Sequence, residues 1–301
     1  MRRLKYGIIL CLLYCPFLVF SQKSVFPKTS IYLLRVNKSG AGYNFSHPSL
    51  VTPDTCYNNQ PFFSPNNLLL YYVSDKKDSQ TNVYNYQIND HVSNKIFRRQ
   101  GLKEYSPQLM PDGKHISVVQ VQRDDSTQYL VCFPLLKDSQ KIIFPRINPV
   151  GYYSWINDTI AALYILGKIP TLQLANLRTR RMHSIATTIG RCIQKVPAMP
   201  AVSYVDESDS NHFYIKYYNV STNKRTTVTE CLKGSEDYCW TKHGDLLMGN
   251  EGKLFIFDPE KDRAWRQIGD FSREPYGKFY HLVMSSDDSY LALVTYVEKK
   301  P

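Results

Sequence analysis

The sequence Leu109-Met-Pro-Asp-Gly-Lys-His-Ile116 places an apolar residue, a polar turn and the start of an apolar strand in direct succession. Six stretches of the chain follow this order, and they begin at Phe63, Leu109, Trp155, Ala198, Trp240 and Met284. Successive copies start 46, 46, 43, 42 and 44 residues apart. A period in this range is typical of one supersecondary unit that is repeated and that buries its faces only against its neighbours.

Each copy leads into further strand-like segments that are rich in branched and aromatic residues and are separated by polar turns. In the second unit these segments are residues 115–121, 129–133 and 141–144. Four short antiparallel strands in each period of about 40–45 residues are typical of a β-propeller blade.

The two ends of the chain complete the pattern. The last copy supplies only two strands, within residues 280–296, whereas residues 31–36 and 43–45 resemble the third and fourth strands of a unit. We therefore predict an all-β fold, a six-bladed β-propeller closed by N- and C-terminal strands that share one blade. This closure removes the exposed sheet edge of an open array. Residues 22–301 are expected to form a single domain.

The opening turns resemble the Trp-Ser-Pro-Asp-Gly-Lys signature of the TolB-like, or WD40-like (PD40), propeller repeat. The closest copies are Met110-Pro-Asp-Gly-Lys114 and Phe63-Ser-Pro-Asn-Asn67. The resemblance covers nearly all of the chain after residue 21 and implies the same six-bladed fold. Propellers of this family serve as protein-docking domains, as gating domains attached to peptidases and as parts of cell-envelope assemblies. Asp112, Gly113 and Asp287 are expected to form hairpin turns rather than to act as catalytic groups.

Residues 1–21 have the pattern of a secretory signal peptide, with basic residues at positions 2, 3 and 5, an apolar run over 7–20 and a predicted mature start at Gln22. The apolar run is shorter than the roughly 20 residues that a membrane span requires. Bulky residues precede Cys11 and Cys15, so a lipoprotein signal is not predicted. We expect a protein exported to the periplasm or beyond, in a bacterial envelope, with no transmembrane segment after cleavage.

The composition is basic, with a net charge of +11 that becomes +8 when the three basic residues of the signal are removed. This charge favours anionic partners or an anionic envelope surface. Lysine and arginine are scattered, so nucleic-acid binding is not predicted. The five cysteines after residue 21 are an odd number, and a bridge between Cys231 and Cys239 is left open. No paired Cys and His spacing predicts a metal, and no cofactor is expected.

No catalytic signature occurs in the chain. It contains no GxSxG elbow, no HExxH and no glycine-rich phosphate loop. The predicted strand openings nearest the ring axis are Gln60-Pro61, Ser106-Pro107, Gly151-Tyr152, Lys195-Val196, Asp237-Tyr238 and Phe279-Tyr280. Only Asp237 among them is acidic, whereas hydrolysis by paired carboxylates requires two. We therefore predict no catalytic residues.

The loops between the second and third strands are expected on the same ring face as these openings. Together they predict one polar, aromatic-lined binding face, with candidate residues Asp75, Lys77, Arg123, Asp125, Tyr152, Asp206, Asp237, Tyr238 and Tyr280. The sequence predicts a non-catalytic, monomeric module that docks a protein or an envelope component. The alternative is an exported enzyme, or a binder of a small glycan or peptide, with its site at the channel mouth.

Overall fold

The computed structural model describes residues 26–39, 42–53, 55–76, 80–97, 100–137, 139–273 and 276–297. The predicted signal peptide and Lys77 lie outside these ranges. The described residues form 25 β-strands and no helix, which confirms the all-β prediction. These ranges therefore contain no helix of the length and apolarity needed to cross a bilayer.

Five blades are four-stranded antiparallel sheets made from consecutive strands. Blade 1 contains β4 (Asn58–Phe63), β5 (Leu69–Ser74), β6 (Asn82–Gln87) and β7 (Val92–Lys95). Blade 2 contains β8 (Lys103–Leu109), β9 (His115–Val121), β10 (Gln128–Pro134) and β11 (Lys141–Ile142). Blade 3 contains β12 (Val150–Trp155), β13 (Ile160–Ile165), β14 (Thr171–Asn176) and β15 (Met182–Thr187). Blade 4 contains β16 (Ile189–Lys195), β17 (Ala201–Asp206), β18 (Tyr214–Asn219) and β19 (Lys224–Glu230). Blade 5 contains β20 (Tyr238–Trp240), β21 (Leu246–Asn250), β22 (Lys253–Phe257) and β23 (Arg266–Asp270).

Blade 6 closes the ring with strands from both ends of the chain. It contains β24 (Phe279–Met284), β25 (Tyr290–Tyr296), β1 (Thr29–Ser39), β2 (Gly42–Phe45) and the two-residue β3 (Ser49–Leu50). Strand β1 pairs antiparallel with β25 from Thr29 opposite Tyr296 to Arg35 opposite Tyr290, and its far end pairs with β2. The predicted six-bladed ring and its shared closing blade are confirmed.

The turns that open the hairpins adopt the backbone conformation that their residues predict. Asn67, Gly113 and Asp288 have φ angles of 55°, 66° and 63°. The carboxylate of Asp112 accepts hydrogen bonds from the backbone amides of Lys114 and His115 at 2.8 and 3.1 Å, so it holds its own turn.

Blade 4 departs from the prediction in its inner strand. Strand β16 ends at Lys195, three residues before Ala198, and the following turn has Ala198 at a φ of 54°. Val196 then bonds to the carbonyl of Ala201 across this turn. The prediction that Lys195 opens the strand is wrong, because the strand begins at Ile189 and Lys195 stands at its far end.

The apolar core is a ring of six layers, one between each pair of adjacent blades. The layer between blades 5 and 6, for example, joins Leu247 and Leu254 to Phe279, Leu282 and Leu34. Each blade therefore contributes both faces to burial, which explains why its strands are apolar along most of their length.

Two blade interfaces carry the same polar clamp. Ser117 of blade 2 accepts hydrogen bonds from the Tyr153 hydroxyl and the Trp155 indole nitrogen of blade 3, both at 2.9 Å. Ser203 of blade 4 accepts the equivalent bonds from Tyr238 and Trp240 of blade 5, both at 2.8 Å. The tryptophans of the repeat thus join neighbouring blades.

Replacing Ser117 with Ala should lower the free energy of unfolding by about 1–3 kcal/mol, because the buried indole N–H of Trp155 loses its acceptor. Urea unfolding followed by circular dichroism measures the change. Ser221→Ala, in an exposed turn, is the control and should stay within about 0.5 kcal/mol of the wild type. Equal stability of Ser117→Ala and Ser221→Ala would contradict the clamp.

Ring closure can be tested with two leucines of opposite environment. Leu34 in β1 is fully buried in the layer between blades 5 and 6, whereas Leu136 is 96% exposed. Leu34→Ala should cost about 2–5 kcal/mol through lost burial and a cavity, and Leu136→Ala should cost almost nothing. Thermal or urea unfolding measures the two free energies. Equal losses of stability in the two variants would contradict the burial of β1 in the closing blade.

Candidate functional site at the channel mouth

The six inner strands surround a central channel, and all six begin at the same end of it, which we call the mouth. They are β4, β8, β12, β16, β20 and β24. Within each blade, the second strand runs antiparallel to the inner strand. The loop that follows the second strand therefore also lies at the mouth. Asn58 at the start of β4 is opposite Ser74 at the end of β5, and Ile189 is opposite Asp206 in the same way.

Most inner strands are irregular near the mouth. Register shifts occur in five of them, between Asn59 and Phe62, Tyr105 and Gln108, Val150 and Tyr152, Ile189 and Ile193, and Phe279 and His281. Gln60 and Ser106 adopt positive φ angles of 54° and 51° at such shifts. Bulges of this kind redirect side chains, and these lie where the chain meets the channel.

A cavity of about 430 Å³ lies in the channel, and every blade contributes to its wall. Blades 1 to 6 supply, in order, Gln60, Ser106, Tyr152, Arg191, Asp237 and His281. The side chain of Arg191 is 46% exposed, so the cavity is open to solvent. Its volume is within the range of small-molecule pockets, so it can accept a short segment or a side chain but not a folded domain.

Asp237 lies between Arg191 and His281 in this wall. Its side chain is 7% exposed, with Arg191 Nη2 3.6 Å from Oδ2 and His281 Nδ1 3.6 Å from Oδ1. These contacts are longer than hydrogen bonds. Burial lowers the pKa of Arg191, but the carboxylates of Asp237 and Glu236 outweigh burial and raise it above its usual range. Arg191 is therefore a permanent cation at the mouth.

Two further carboxylates converge beside Arg191. A methyl group built on Gly190 would stand 2.7 Å from Glu207 Oε1 and 3.3 Å from Glu236 Oε2, so both oxygens approach the same point. Burial raises the pKa of Glu207, the nearby charge of Glu236 raises it further, and Arg191 partly opposes both. Because Gly190 has no side chain, the carboxylates of Glu207 and Glu236 can both approach its Cα.

Tyrosines dominate the other side of the mouth, on blades 1, 2, 3 and 6. Phe26 packs on Tyr57 with ring centroids 4.8 Å apart, and Tyr280 stacks on Tyr296 at 4.4 Å. Tyr152 meets Tyr164 edge to face at 5.7 Å. Burial raises the pKa of Tyr57, Tyr152 and Tyr280, so their hydroxyls stay protonated over the physiological range.

Three of the predicted binding residues line the cavity: Tyr152, Asp237 and Tyr280. Tyr238 does not, because its side chain is buried between blades 4 and 5 on Ser203. Lys77 is outside the described residues.

The remaining predicted residues lie at the mouth end of the ring without lining the cavity. Asp75 accepts a hydrogen bond from the backbone of Tyr57 at 2.8 Å, and exposed Asp125 pairs with Lys103 at 2.7 Å. Arg123 is exposed. Asp206 pairs with Lys216 at 3.0 Å and lines a separate groove between the outer parts of blades 3 and 4.

The sequence prediction missed Arg191, His281 and Glu236 at the mouth. Arg191 was overlooked because the opening of its strand was placed at Lys195. Glu236 had a usable signal, since it directly precedes Asp237. His281 follows a register shift that the sequence pattern does not reveal.

All five cysteines after residue 21 are free thiols, so the bridge between Cys231 and Cys239 that the sequence left open does not form. Among the described residues, no three His, Cys, Asp or Glu side chains are arranged to hold a metal ion.

No protein-family model matches the chain, and no curated protein matches it. Several solved structures do match it. A putative TolB from Agrobacterium tumefaciens superimposes with a TM-score of 0.69 over 91% of this chain and 100% of that one, at 11% identity. TolB from Acinetobacter baumannii gives a TM-score of 0.58 over 90% of this chain and 65% of that one, at 13% identity.

The fold is that of a TolB-like six-bladed β-propeller. An oligogalacturonate lyase in complex with manganese also matches this TolB-like propeller, with a TM-score of 0.54 over 91% of this chain and 99% of that one, at 13% identity. At such identities the likeness concerns the fold alone. The narrower PD40 assignment stays a prediction, because no family model supports it.

Replacing Glu207 with Gln should stabilise the TolB-like propeller at pH 7, because it removes a carboxylate that is costly to bury beside Glu236. Between pH 4.5 and the raised pKa of Glu207, the folded protein keeps a proton that the unfolded chain has lost, so wild-type stability falls as the pH rises through this window. The advantage of Glu207→Gln should therefore shrink on acidification and vanish below about pH 4. Thermal unfolding from pH 4 to 8 measures it, with exposed Glu260→Gln as the control. A gain that is the same at every pH would contradict this account.

Proposed function

We propose that this TolB-like propeller is an exported module of a bacterial envelope that docks a partner protein at the channel mouth. The observation that carries the proposal is the set of polar groups in the cavity wall. Within the described chain, Asp237 contacts Arg191 and His281 at 3.6 Å, and the buried hydroxyl of Ser106 in the same wall has no hydrogen-bond partner. A buried polar group that is held in place without a partner is suited to binding another molecule.

The residue types at the mouth support docking. Tyrosine and arginine are the side chains most enriched among residues that dominate binding energy at protein interfaces. Here Tyr57, Tyr152 and Tyr280 surround the same channel as Arg191. The cavity admits only a short part of a partner, so the remaining contact would lie on the loops around it.

Export rests on the sequence of residues 1–21, with the periplasm or the cell surface as its destination. The TolB structures that the fold resembles are consistent with an interaction module. The basic charge of the chain suits an anionic envelope surface. We expect a monomer, because the closed ring already covers both faces of every blade with a neighbouring blade.

The mouth can be tested by affinity capture. Residues 22–301, immobilised and incubated with the envelope fraction of the native host, should retain a stoichiometric partner identified by mass spectrometry. Arg191→Ala and Tyr152→Ala should each weaken the measured Kd by at least about tenfold, because each removes a central contact. Arg181→Ala, on an exposed turn at the opposite end of the ring, is the matched control.

Two outcomes would contradict docking at the mouth. One is a folded protein that retains no specific partner. The other is a partner whose Kd responds to Arg181→Ala but not to the two mouth variants.

A second candidate function, a binder or enzyme for a small glycan or peptide, is favoured by one observation. Glu207, Glu236 and Asp237 bring three carboxylates together at the mouth, whereas the sequence analysis found one acid, Asp237, among the strand openings. A carboxyl group whose pKa is raised by burial and by a neighbouring carboxylate, as for Glu207, is typical of acid–base sites. Turnover of a glycan or peptide substrate by the wild type, lost in Glu207→Gln and kept in Glu260→Gln, would favour this candidate over docking.

A further inference from the structure

The charge of the mouth is opposite to that of the whole chain. The protein carries a net charge of +11. At the mouth, however, Glu207, Glu236 and Asp237 cluster around one permanent cation, Arg191. A local excess of negative charge on a basic protein attracts a cationic ligand and does so over a short range, since salt screens longer distances.

Ser106 provides an independent observation that points to a ligand. It is 9% exposed and lines the same cavity as Asp237, and its hydroxyl has no hydrogen-bond partner among the described residues. Asp237 is 7% exposed and contacts Arg191 and His281 at 3.6 Å, a distance longer than a hydrogen bond. A buried polar group without a partner is costly to a fold. A bound molecule that forms a hydrogen bond with Ser106 would remove that cost.

The opposite wall suits the body of such a ligand. Tyr152 and Tyr280 line the cavity and Tyr57 lies close to both, so aromatic rings stand within the same mouth as the carboxylates. Tyrosine rings attract ammonium and guanidinium groups through their faces. They also cover the apolar stems of lysine and arginine side chains. A metal ion would use the carboxylates but gain nothing from the rings.

We propose that the mouth binds a lysine or arginine side chain presented by a short segment of the docked partner, with its charge among Glu207, Glu236 and Asp237 and its stem against the tyrosines. This deepens the proposed function and rests on it, because it takes the mouth as the docking site. The raised pKa of Glu207 fits this assignment, since a bound cation would relieve its repulsion from Glu236.

The first test uses randomised heptapeptides displayed on phage, selected on residues 22–301 of the wild type. Selected peptides should share a lysine or arginine at one position. Synthetic versions with citrulline in place of arginine, or norleucine in place of lysine, should bind at least about tenfold more weakly. The affinity of the basic peptides, but not of the neutral ones, should fall as salt is raised. Selection of peptides with no shared basic residue, failure to select any peptide, or full affinity of the neutral versions would overturn the proposal.

The second test changes the protein. Glu207→Gln combined with Glu236→Gln should abolish the preference for basic peptides, whereas Glu260→Gln should keep it. Gly190→Ala retains every charge but places a methyl group between the two carboxylates, so it should weaken the basic peptides while thermal unfolding confirms that the ring remains folded. An unchanged preference in the double variant would also overturn the proposal.

The two proposals fail in different ways. If Arg191→Ala releases the captured partner and the double glutamine variant does not, docking at the mouth stands and recognition of a cationic side chain is wrong. If neither releases it, the mouth is not the docking site.

Discussion

The pairing of β1 with β25 is the contact on which the rest of this propeller depends. No blade has a core of its own, because each apolar layer lies between two blades and needs both. Five blades can be arranged by local hairpins, but the sixth exists only when strands from the two ends of the chain meet. Once they do, every layer is covered on both sides. The channel then has a fixed diameter, and the residues at its mouth have fixed neighbours.

The mouth shows how a site can be assembled from residues that are remote in sequence. Arg191, Asp237 and His281 lie near the starts of three successive inner strands, and each reaches the cavity at a local irregularity or a strand end. Their proximity depends on the angle between neighbouring blades, which the polar clamps at Ser117 and Ser203 help to set. The charged half of the mouth and the tyrosine half are thus properties of the ring and not of any single blade.

Sequence alone predicted the parts of this structure that are governed by local rules. Turn residues such as Gly113 and Asp288 mark the hairpins, and alternating apolar segments mark the strands, so the number of blades and the shared closing blade followed. Blade 4 was misaligned because its turn at Ala198 has no Asp-Gly pair to mark it. The sequence predicted that both Asp237 and Tyr238 face the mouth, but only Asp237 lines the cavity. Neighbouring residues along an extended chain point to opposite sides, so the two side chains cannot both face it. The convergence of Glu207 and Glu236 depends on contacts across two blades, for which the sequence pattern holds no signal.

The shared closing blade also determines when β1 can complete its pairing during synthesis of the chain. During synthesis, β1 emerges first and can pair with β2 and β3, but β25, which pairs with the other edge of β1, is almost the last strand to appear. Contacts this distant in sequence form slowly, because closing a long loop must precede any gain from pairing. A nascent chain of this design needs its first strand shielded, by a chaperone or by transit in an unfolded state, until the last one arrives.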